Sequence, residues 1–208
     1  MVTPEDIERE LGTFEERDQK AQVLAQNLYE ILEQLGYTPY SPVFTGTTPM
    51  EKIQSMADNE AIIEYRAKTI DSIQKKHERS GDTINEILDT LGLLVVVSTI
   101  KKAEQCALHI HNNLWDHPTK EQMTLRNGSL IFAPYRDYRK RDWEGVSPLT
   151  DPDYRDVINI NRSVDGRVIE VRIMSHDMFL RYNGEGRVGH RAFKKRQEEL
   201  LRQKKAAE

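Results

Sequence analysis

The feature that most constrains the fold is a short apolar run that contains three β-branched valines, near the middle of the chain. Residues 91–98 read Leu-Gly-Leu-Leu-Val-Val-Val-Ser, with no charged side chain among them. The run has the length of a strand, and its apolar residues do not alternate with polar ones. This pattern is typical of a strand that is covered on both faces. The sequence therefore predicts the central strand of a sheet with other elements packed on both sides.

Helical periodicity flanks this run on both sides. Residues from Thr13 to Leu35 carry an apolar stripe at helical spacing, Thr13 and Glu16 form a predicted capping box, and Gly36 follows the last turn. Residues 37–49 are rich in proline and predict an irregular connector. Further helices are predicted at about 50–63, at 68–79, from Asp82 to Leu88, at 101–115, from Ser175 onward and at 190–205.

Three further strands are predicted at 129–134, 156–161 and 168–174, and Asp165-Gly166 is the hairpin turn between the last two. The order of helices and strands indicates one α+β domain with a mixed β-sheet flanked by helices, and with helical extensions at both ends. The predicted boundaries are an N-terminal helical extension and connector at 1–49, the main domain at 50–195 and a basic helical tail at 196–208.

Composition limits the class of protein. The chain has 208 residues, of which 38% are hydrophobic and 31% charged, as expected for a soluble globular domain. The net charge of −4 conceals an acidic start and a tail, residues 187–205, with eight Lys or Arg residues. Such a tail can contact nucleic acid, pair with the acidic helix or keep the protein in solution. A single Cys106 and the lack of a membrane-length apolar run predict a cytoplasmic protein without a membrane partner.

A group of cations and one hydroxyl surrounds the start of the helix predicted at 68–79. These residues are Arg66, Lys68, Ser72 and Lys76. Their spacing gathers positive charge on one side of a helix N-terminus, where anions are already favoured, so the segment can bind a polyphosphate. The alternative is a basic helical face that is only solvated.

Two carboxylates lie beside or within predicted strands. Asp89 precedes the central strand, and Glu170 lies in the last strand on the same face as Val168 and Arg172. One interpretation makes Glu170 a cross-strand partner of an arginine. In the other, Asp89 and Glu170 converge to hold Mg²⁺, which prefers hard oxygen ligands and bridging phosphates.

Four segments in order resemble the synthetase domain of RelA/SpoT homologues, the enzymes that make (p)ppGpp. The first motif is R-x-K-x-x-x-S-x-x-x-K at 66–76, and the second is D-x-x-G before a Val/Ile strand at 89–97. Looser matches are Arg-Asp-Tyr at 136–138 and the segment around Tyr154. The last is Glu-Val-Arg-Ile at 170–173, followed by Asp-Met at 177–178 and a Gly-x-x-x-His that ends at 190.

This resemblance implies a nucleotidyltransferase-like fold and a small, single-domain alarmone synthetase. Such an enzyme is a pyrophosphokinase that moves the β,γ-diphosphate of ATP to the 3′-hydroxyl of GDP or GTP. The motif at 66–76 would then bind the ATP phosphates, and Asp89 and Glu170 would be catalytic and would ligate Mg²⁺, with Glu170 also a candidate general base. The residues assigned to the acceptor are Tyr154, Arg136, Tyr138, Arg172 and His190.

Several positions depart from the family pattern. Leu94 and Met174 stand where the family has arginine, and Ile158 stands where the family has histidine. The acceptor side is therefore more altered than the ATP side. Two alternatives stay open: a toxin of the same fold that pyrophosphorylates the 3′ end of tRNA, and a catalytically degenerate module that binds a nucleotide or a protein. A homo-oligomer formed through the first long helix also stays open.

Overall fold

The computed structural model describes residues 2–40, 50–81, 83, 84, 87, 90–123, 134–140 and 153–183, and seven single positions between 192 and 203. Its helices of more than one turn are α1 (Pro4–Leu11), α2 (Phe14–Gln34), α3 (Met50–Gln54), α4 (Ile70–Ser80), α5 (Ile100–Asn113) and α6 (His176–Asn183). Its strands are β1 (Thr38–Tyr40), β2 (Glu60–Ala67), β3 (Leu91–Val97), β4 (Tyr135–Asp137), β5 (Val157–Val164) and β6 (Arg167–Ser175).

These strands form one mixed sheet in the order β1-β2-β3-β6-β5-β4. β3 pairs antiparallel with β2 and parallel with β6, and the hairpin of β5 and β6 continues the sheet to β4 at its edge. The predicted α+β class and the predicted central strand are confirmed. The hairpin turn is also confirmed, because Asp165 and Gly166 both have positive φ, at 49° and 75°, which a two-residue turn of this kind requires.

One face of the sheet is covered by α2 and α5, and it forms the main apolar core. Leu28 and Leu32 from α2 and Ile110 from α5 are fully buried against strand residues such as Val95 and Val171. The capping box predicted for α2 is present, since the Thr13 side chain accepts from the Glu16 amide and the Glu16 carboxylate accepts from the Thr13 amide. The predicted apolar stripe of this helix is therefore what joins it to the sheet.

The opposite face is apolar at one end only. Ile62, Val96 and Met174 lie in neighbouring strands and are fully buried, and α6 covers them with Met178 and Phe179. Towards the other end of the same strands this face carries Leu94 and then Gly92 in β3, and beside them the charged Arg172 and Glu170 in β6. Because Gly92 and Leu94 are only partly buried, β3 is covered on both faces along its C-terminal half alone.

Helix α1 packs against α4 through a small separate core that includes Ile7, Ile73 and Ile87. The buried Arg17 side chain joins this region to the rest of the chain, since it donates to the Gly12 and Lys68 carbonyl oxygens. The N-terminal segment thus contacts the turn between β2 and α4, where the predicted phosphate-binding motif lies.

Two sequence predictions about this part of the chain are wrong. The helix expected at 50–63 is the short α3 followed by strand β2, because the Ile62-Ile63 pair is buried between β1 and β3 and the sheet overrides the helical tendency of the surrounding Ala and Glu residues. The connector predicted at 37–49 contains a short edge strand at Thr38–Tyr40, where Pro39 is tolerated because an edge strand leaves one side unpaired.

The region around Arg136 differs from prediction as well. The sequence predicted no strand at Arg136, but this residue lies in strand β4 and is 7% exposed. Residues 129–133 of the strand expected at 129–134 lie outside the described residues, as do Asp82, Leu88 and most of the tail predicted as a helix at 190–205. Within the described part of the chain, no helix is long and apolar enough to cross a membrane.

Candidate active site

A cavity of about 300 Å³ lies on the polar end of the second sheet face. Strands β2, β3 and β6 form its floor, and the end of α6 forms one wall. Its polar lining residues are Glu64, Arg66, Glu170, Arg172, Tyr182 and Asn183, and Leu94 and Phe179 are among the apolar ones. The cavity therefore brings together side chains from distant parts of the sequence.

Strand register explains why the first and last motifs meet here. Arg66 in β2 pairs with Gly92 in β3, and Gly92 pairs with Glu170 in β6. Residues in register on neighbouring strands share a face of the sheet, so these three positions form one row across the floor of the cavity. The row includes the first cation of the motif at 66–76, the glycine of the second motif and the acid of the fourth.

Gly92 gives Arg66 room to lie across the floor. A Cβ atom built on Gly92 would stand 3.3 Å from Arg66 Nε and 3.6 Å from Arg66 Cγ. The arginine side chain therefore lies over the bare backbone of β3. Arg66 is exposed and forms no ion pair with any residue that the structure describes, so its charge is available to a ligand in the cavity.

Glu170 is held by donors from the neighbouring strand β5, from β4 beyond it and from its own strand β6. Its Oε2 atom accepts from Arg136 Nη2 at 2.9 Å and from Asn159 Nδ2 at 3.1 Å, and its Oε1 atom accepts from Arg172 Nη2 at 3.0 Å. The Glu170 side chain is 15% exposed, and that of Arg136 is 8% exposed. The carboxylate is thus fixed in orientation at the floor of the cavity. Its expected pairing with an arginine is present, and its place in a metal site with Asp89 stays a prediction.

A second row lies one step further along the strands. Glu64 pairs with Leu94, Leu94 pairs with Arg172, and Arg172 pairs with Asn159. Arg172 also donates to the Tyr182 hydroxyl at 3.2 Å and lies over its ring, with 5.6 Å between the guanidinium carbon and the ring centroid. This row joins the cavity floor to the α6 wall.

The other members of the motif at 66–76 lie around the N-terminus of α4. Thr69 caps this helix by accepting from the Ser72 amide, and its hydroxyl donates to Ser72 Oγ at 2.9 Å. The Lys68 amide donates to the Thr90 carbonyl, which ties the turn to the start of β3. Lys76 follows one turn after Ser72. Arg66 lines the cavity, whereas Lys68, Ser72 and Lys76 do not.

The residues that the sequence assigned to acceptor binding do not all line the cavity. Arg172 lines the cavity, whereas Arg136 lies behind Glu170. Tyr154 is 9% exposed and contacts the Tyr138 and Tyr182 rings, at centroid distances of 5.1 and 5.8 Å. Burial raises the pKa of Tyr154 well above its ordinary value. Tyr138 and Tyr154 therefore support the cavity wall from behind, at Tyr182. His190 lies outside the described residues.

The positions that depart from the family pattern have separate environments. Leu94 lines the cavity, where an arginine would have added a cation. Met174 is fully buried with Val96 and Met178 under α6. Ile158 is fully buried on the opposite face of the sheet, in the core that α5 covers. Of these three substitutions, the one at Leu94 directly changes the chemistry of the cavity.

The described residues offer part of a magnesium site. No group of three His, Cys, Asp or Glu side chains lies together among them, and the expected ligand Asp89 is outside the described residues. Mg²⁺ usually takes one or two carboxylates, with water and substrate phosphates completing its shell. Glu170 lies on the cavity floor, whereas the other acid of the cavity, Glu64, lies two strands away and in the next row. Of these two acids, Glu170 alone fits a Mg²⁺ that is bound together with a phosphate in the Arg66 row.

Sequence reasoning missed three residues of the site: Glu64, Asn159 and Tyr182. Glu64 lies two residues before Arg66, and positions two apart share a face only in a strand, so the missed strand β2 concealed it. Asn159 alternates with apolar residues in a strand that was predicted, and that alternation was a usable signal. Tyr182 gave none, because its place depends on how α6 crosses the sheet.

No protein-family model and no curated protein matches the sequence. Among solved structures, the chain is similar to the small alarmone synthetase 1 of Bacillus subtilis bound to its product pppGpp. The identity is 14% and the TM-score is 0.44, over 96% of this chain and 95% of that one. It is also similar to the same synthetase bound to AMPCPP, at 13% identity and a TM-score of 0.38 over 94% and 90% of the two chains.

A GTP pyrophosphokinase family protein from Streptococcus pneumoniae is a further structural neighbour. Its identity to this chain is 16% and its TM-score is 0.36, with 84% of this chain and 82% of that chain covered. These structural neighbours are of the kind that the four sequence motifs resemble. At such low values the similarity carries no argument about activity, so function is argued from the cavity and its residues.

Proposed function

We propose that the protein is an ATP-dependent pyrophosphokinase whose site is the cavity over Arg66, Gly92 and Glu170. The observation that carries the proposal is the shared row of these three residues on the sheet. They come from three separate motifs of one family pattern, and the first and last of them, Arg66 and Glu170, are more than 100 residues apart in the sequence. A cation without an acidic partner in the described chain and a fixed carboxylate on one cavity floor suit phosphoryl chemistry.

In the proposed reaction the 3′-hydroxyl oxygen of a ribonucleotide attacks the β-phosphorus of ATP. The bond from that phosphorus to the α,β-bridging oxygen breaks, AMP leaves, and the hydroxyl proton passes to a base. Glu170 is the base in this proposal, because the donors around it fix its orientation on the cavity floor. Arg66 stabilises the charge that spreads over the transferred phosphates, and Lys68, Ser72 and Lys76 extend the positive region to the start of α4.

Glu170 together with Asp89 would hold Mg²⁺ in this proposal. A bound Mg²⁺ neutralises phosphate charge and orients the groups that react. Arg136 in β4 and Asn159 in β5 both donate to the Oε2 atom of Glu170. These two hydrogen bonds keep that oxygen in its orientation when a ligand enters the cavity. Arg136 therefore has a positioning role rather than the acceptor contact that the sequence suggested.

The proposed acceptor is GDP or GTP, and the 3′ end of tRNA is the alternative. A second candidate function is a nucleotide-binding module without catalysis. Leu94 favours it, because an apolar side chain on the cavity floor replaces a cation that would stabilise developing negative charge, an effect typically worth about 3–4 kcal/mol of barrier.

The test is incubation with ATP labelled at the γ-phosphate and Mg²⁺, with GDP, GTP, ADP and bulk tRNA offered in parallel. We expect label to move to a guanine nucleotide, and we expect Glu170→Gln to reduce the rate by about 10²- to 10⁴-fold, the usual contribution of a general base. Label on tRNA alone would establish the alternative acceptor.

The matched control is Glu78→Gln, which removes the same charge from an exposed position of α4. This variant should transfer label at the wild-type rate. If no acceptor is labelled by the wild-type protein while calorimetry detects nucleotide binding, the chain is a binding module and the catalytic assignment of Glu170 is wrong.

A further inference from the structure

A buried arginine of α2 contacts the turn that leads into the predicted phosphate-binding motif. Arg17 is 3% exposed, and both of its terminal nitrogens donate to main-chain carbonyl oxygens. Its Nη1 atom donates to Gly12 at 2.5 Å, and its Nη2 atom donates to Lys68 at 3.0 Å. Gly12 follows the last residue of α1, whereas Lys68 lies between β2 and α4. The guanidinium therefore links the N-terminal segment to a member of the motif at 66–76.

The main chain of Lys68 is held on both sides. Its amide donates to the Thr90 carbonyl at 2.9 Å, and its carbonyl accepts from Arg17. Because a peptide unit is planar and trans, a fixed Lys68 carbonyl also fixes the Thr69 amide, which points in the opposite direction. Thr69 is the N-cap of α4. The bond from Arg17 thus sets the orientation of a helix start, where the first amide groups favour anions.

The charge of Arg17 is not neutralised by an ion pair. Within the described part of the chain, both hydrogen bonds of its guanidinium go to carbonyl oxygens and no carboxylate pairs with it. Burial lowers the pKa of Arg17, and the exposed Glu8 and Glu15 offset that effect only in part. A buried cation without a carboxylate is costly to the fold. Beside the start of α4, however, the same charge attracts a bound anion.

A second arginine at the same place provides a comparison. Arg167 begins β6, and its two terminal nitrogens donate to the Leu11 carbonyl, at 2.9 Å, and to the Glu10 carbonyl. Among the described residues, both of its hydrogen bonds thus go to the C-terminal end of α1. The attachment of α1 is therefore shared by the two arginines, whereas Arg17 alone of the two also binds the turn between β2 and α4.

We propose that Arg17 is a positioning residue for the phosphates of ATP. It acts through the turn between β2 and α4, since its hydrogen bond to the Lys68 carbonyl orients Lys68 and the start of α4. Its buried charge also makes this helix start more positive, without any contact between Arg17 and the nucleotide. The segment at 1–49, predicted as an extension, thereby contributes to nucleotide binding. This role rests on the proposed function, because it requires ATP phosphates at the motif.

Calorimetric titration of the full chain tests this role. The probe is an ATP analogue with a methylene group between its α- and β-phosphates, added with Mg²⁺ and without an acceptor. Arg17→Gln should weaken binding by about 10-fold, as expected for the loss of one charged hydrogen bond. Arg167→Gln is the matched control and should stay within about 2-fold of the wild-type affinity, because its contacts are separate from the turn. Urea unfolding shows that both variants are folded at the temperature of the titration.

A second matched pair decides the question if Arg17→Gln does not fold. Arg17→Lys keeps the charge but loses the planar fork that reaches two carbonyl oxygens, so the affinity for the analogue should fall by only about 3-fold. Arg167→Lys should bind as the wild-type protein does. Hydrogen exchange without nucleotide adds a local readout, because the amides of residues 68–72 should exchange faster in the Arg17 variants than in the Arg167 variants.

The role of Arg17 stands if its variants alone lose affinity for the analogue and protection of the turn. Equal affinities within each matched pair would overturn this role and leave the proposed function intact, even if hydrogen exchange differed. A wild-type protein that binds no ATP analogue would overturn the proposed function and the role of Arg17 with it.

Discussion

The face of the sheet under α2 and α5 is apolar from strand to strand, whereas the opposite face changes from apolar to charged along β2 and β6. On the first face the row of Ile63, Val95 and Ile173 is fully buried. On the second, β6 runs from Glu170 through Arg172 to the buried Met174, and β2 runs from Ile62 through Glu64 to Arg66. The same strands thus support folding on one face and a candidate site on the other.

This difference separates the effects that substitutions should have. A change on the helix-covered face removes buried apolar contacts and lowers the free energy of unfolding. A change of an exposed residue on the cavity face removes a contact with a ligand, and the folded chain loses little. The following predictions test that separation.

The largest effect on stability is expected on the helix-covered face. Leu28→Ala should lower the free energy of unfolding by about 2–5 kcal/mol, because it leaves a cavity at a fully buried position of α2. Val23→Ala is the control, since Val23 is 58% exposed on the same helix, and should change the unfolding free energy by less than about 0.5 kcal/mol. Urea unfolding measures both. Equal losses for the two variants would mean that α2 is not packed as described.

On the cavity face, Arg66→Gln should weaken the binding of ATP by about 10- to 100-fold, since a charged hydrogen bond contributes about 1.5–3 kcal/mol. The free energy of unfolding should change by less than about 0.5 kcal/mol, because Arg66 is exposed. Lys75→Gln removes a cation from the exposed side of α4, where Lys75 pairs with Asp71, and should leave ATP binding unchanged. An equal loss in both variants would indicate only a general effect of charge.

A smaller effect is expected from Gly92→Ala. The new Cβ would meet Arg66 Nε at 3.3 Å and push the guanidinium away from the floor, so ATP binding should weaken by about 3- to 10-fold. If the effect acts through Arg66, then adding Gly92→Ala to Arg66→Gln should have no further consequence for ATP affinity. Additive losses in the double variant would show that Gly92 has a separate role.

The smallest effect is a pH dependence on the helix-covered side. Burial, together with the nearby positive charge of Arg162 and His117, lowers the pKa of His111 from its ordinary value of 6.5. The unfolded chain therefore takes up a proton near pH 6.5 while the folded chain does not, so stability is lost as pH falls below 6.5 and is retained above it. His111→Gln should make the free energy of unfolding depend less steeply on pH below 6.5, without changing the affinity for ATP. An unchanged slope would assign the dependence to another group.

The same comparison explains how much of the fold was predictable. Helix α2 and strand β3 have long, regular patterns that depend only on local sequence, and both were predicted. Strand β2 was not, because Glu60-Ala-Ile-Ile-Glu-Tyr-Arg-Ala contains many helix-favouring residues and becomes a strand through its neighbours. Strands β1 and β4 have three residues each, which is too short for a period to appear.

For the site, sequence motifs identified Arg66 and Glu170 but not their relation. Their meeting depends on the register of β2, β3 and β6, which no single segment encodes. Arg136 was assigned to acceptor binding because it belongs to the Arg-Asp-Tyr segment that resembles a family motif. In the structure its side chain instead donates to Glu170 from strand β4. Glu64 and Tyr182 are members of the site only because the fold brings strand β2 and helix α6 to the same cavity.

The most direct test of the central claim is a crystal structure of the protein with Mg²⁺ and an ATP analogue that has a methylene group between its α- and β-phosphates. The account predicts the nucleotide in the cavity on the charged face, with phosphate oxygens within hydrogen-bond distance of the Arg66 guanidinium and the β-phosphate beside Glu170. A nucleotide bound elsewhere on the chain, or phosphates directed away from Arg66 and Glu170, would contradict the claim that this row is the active site.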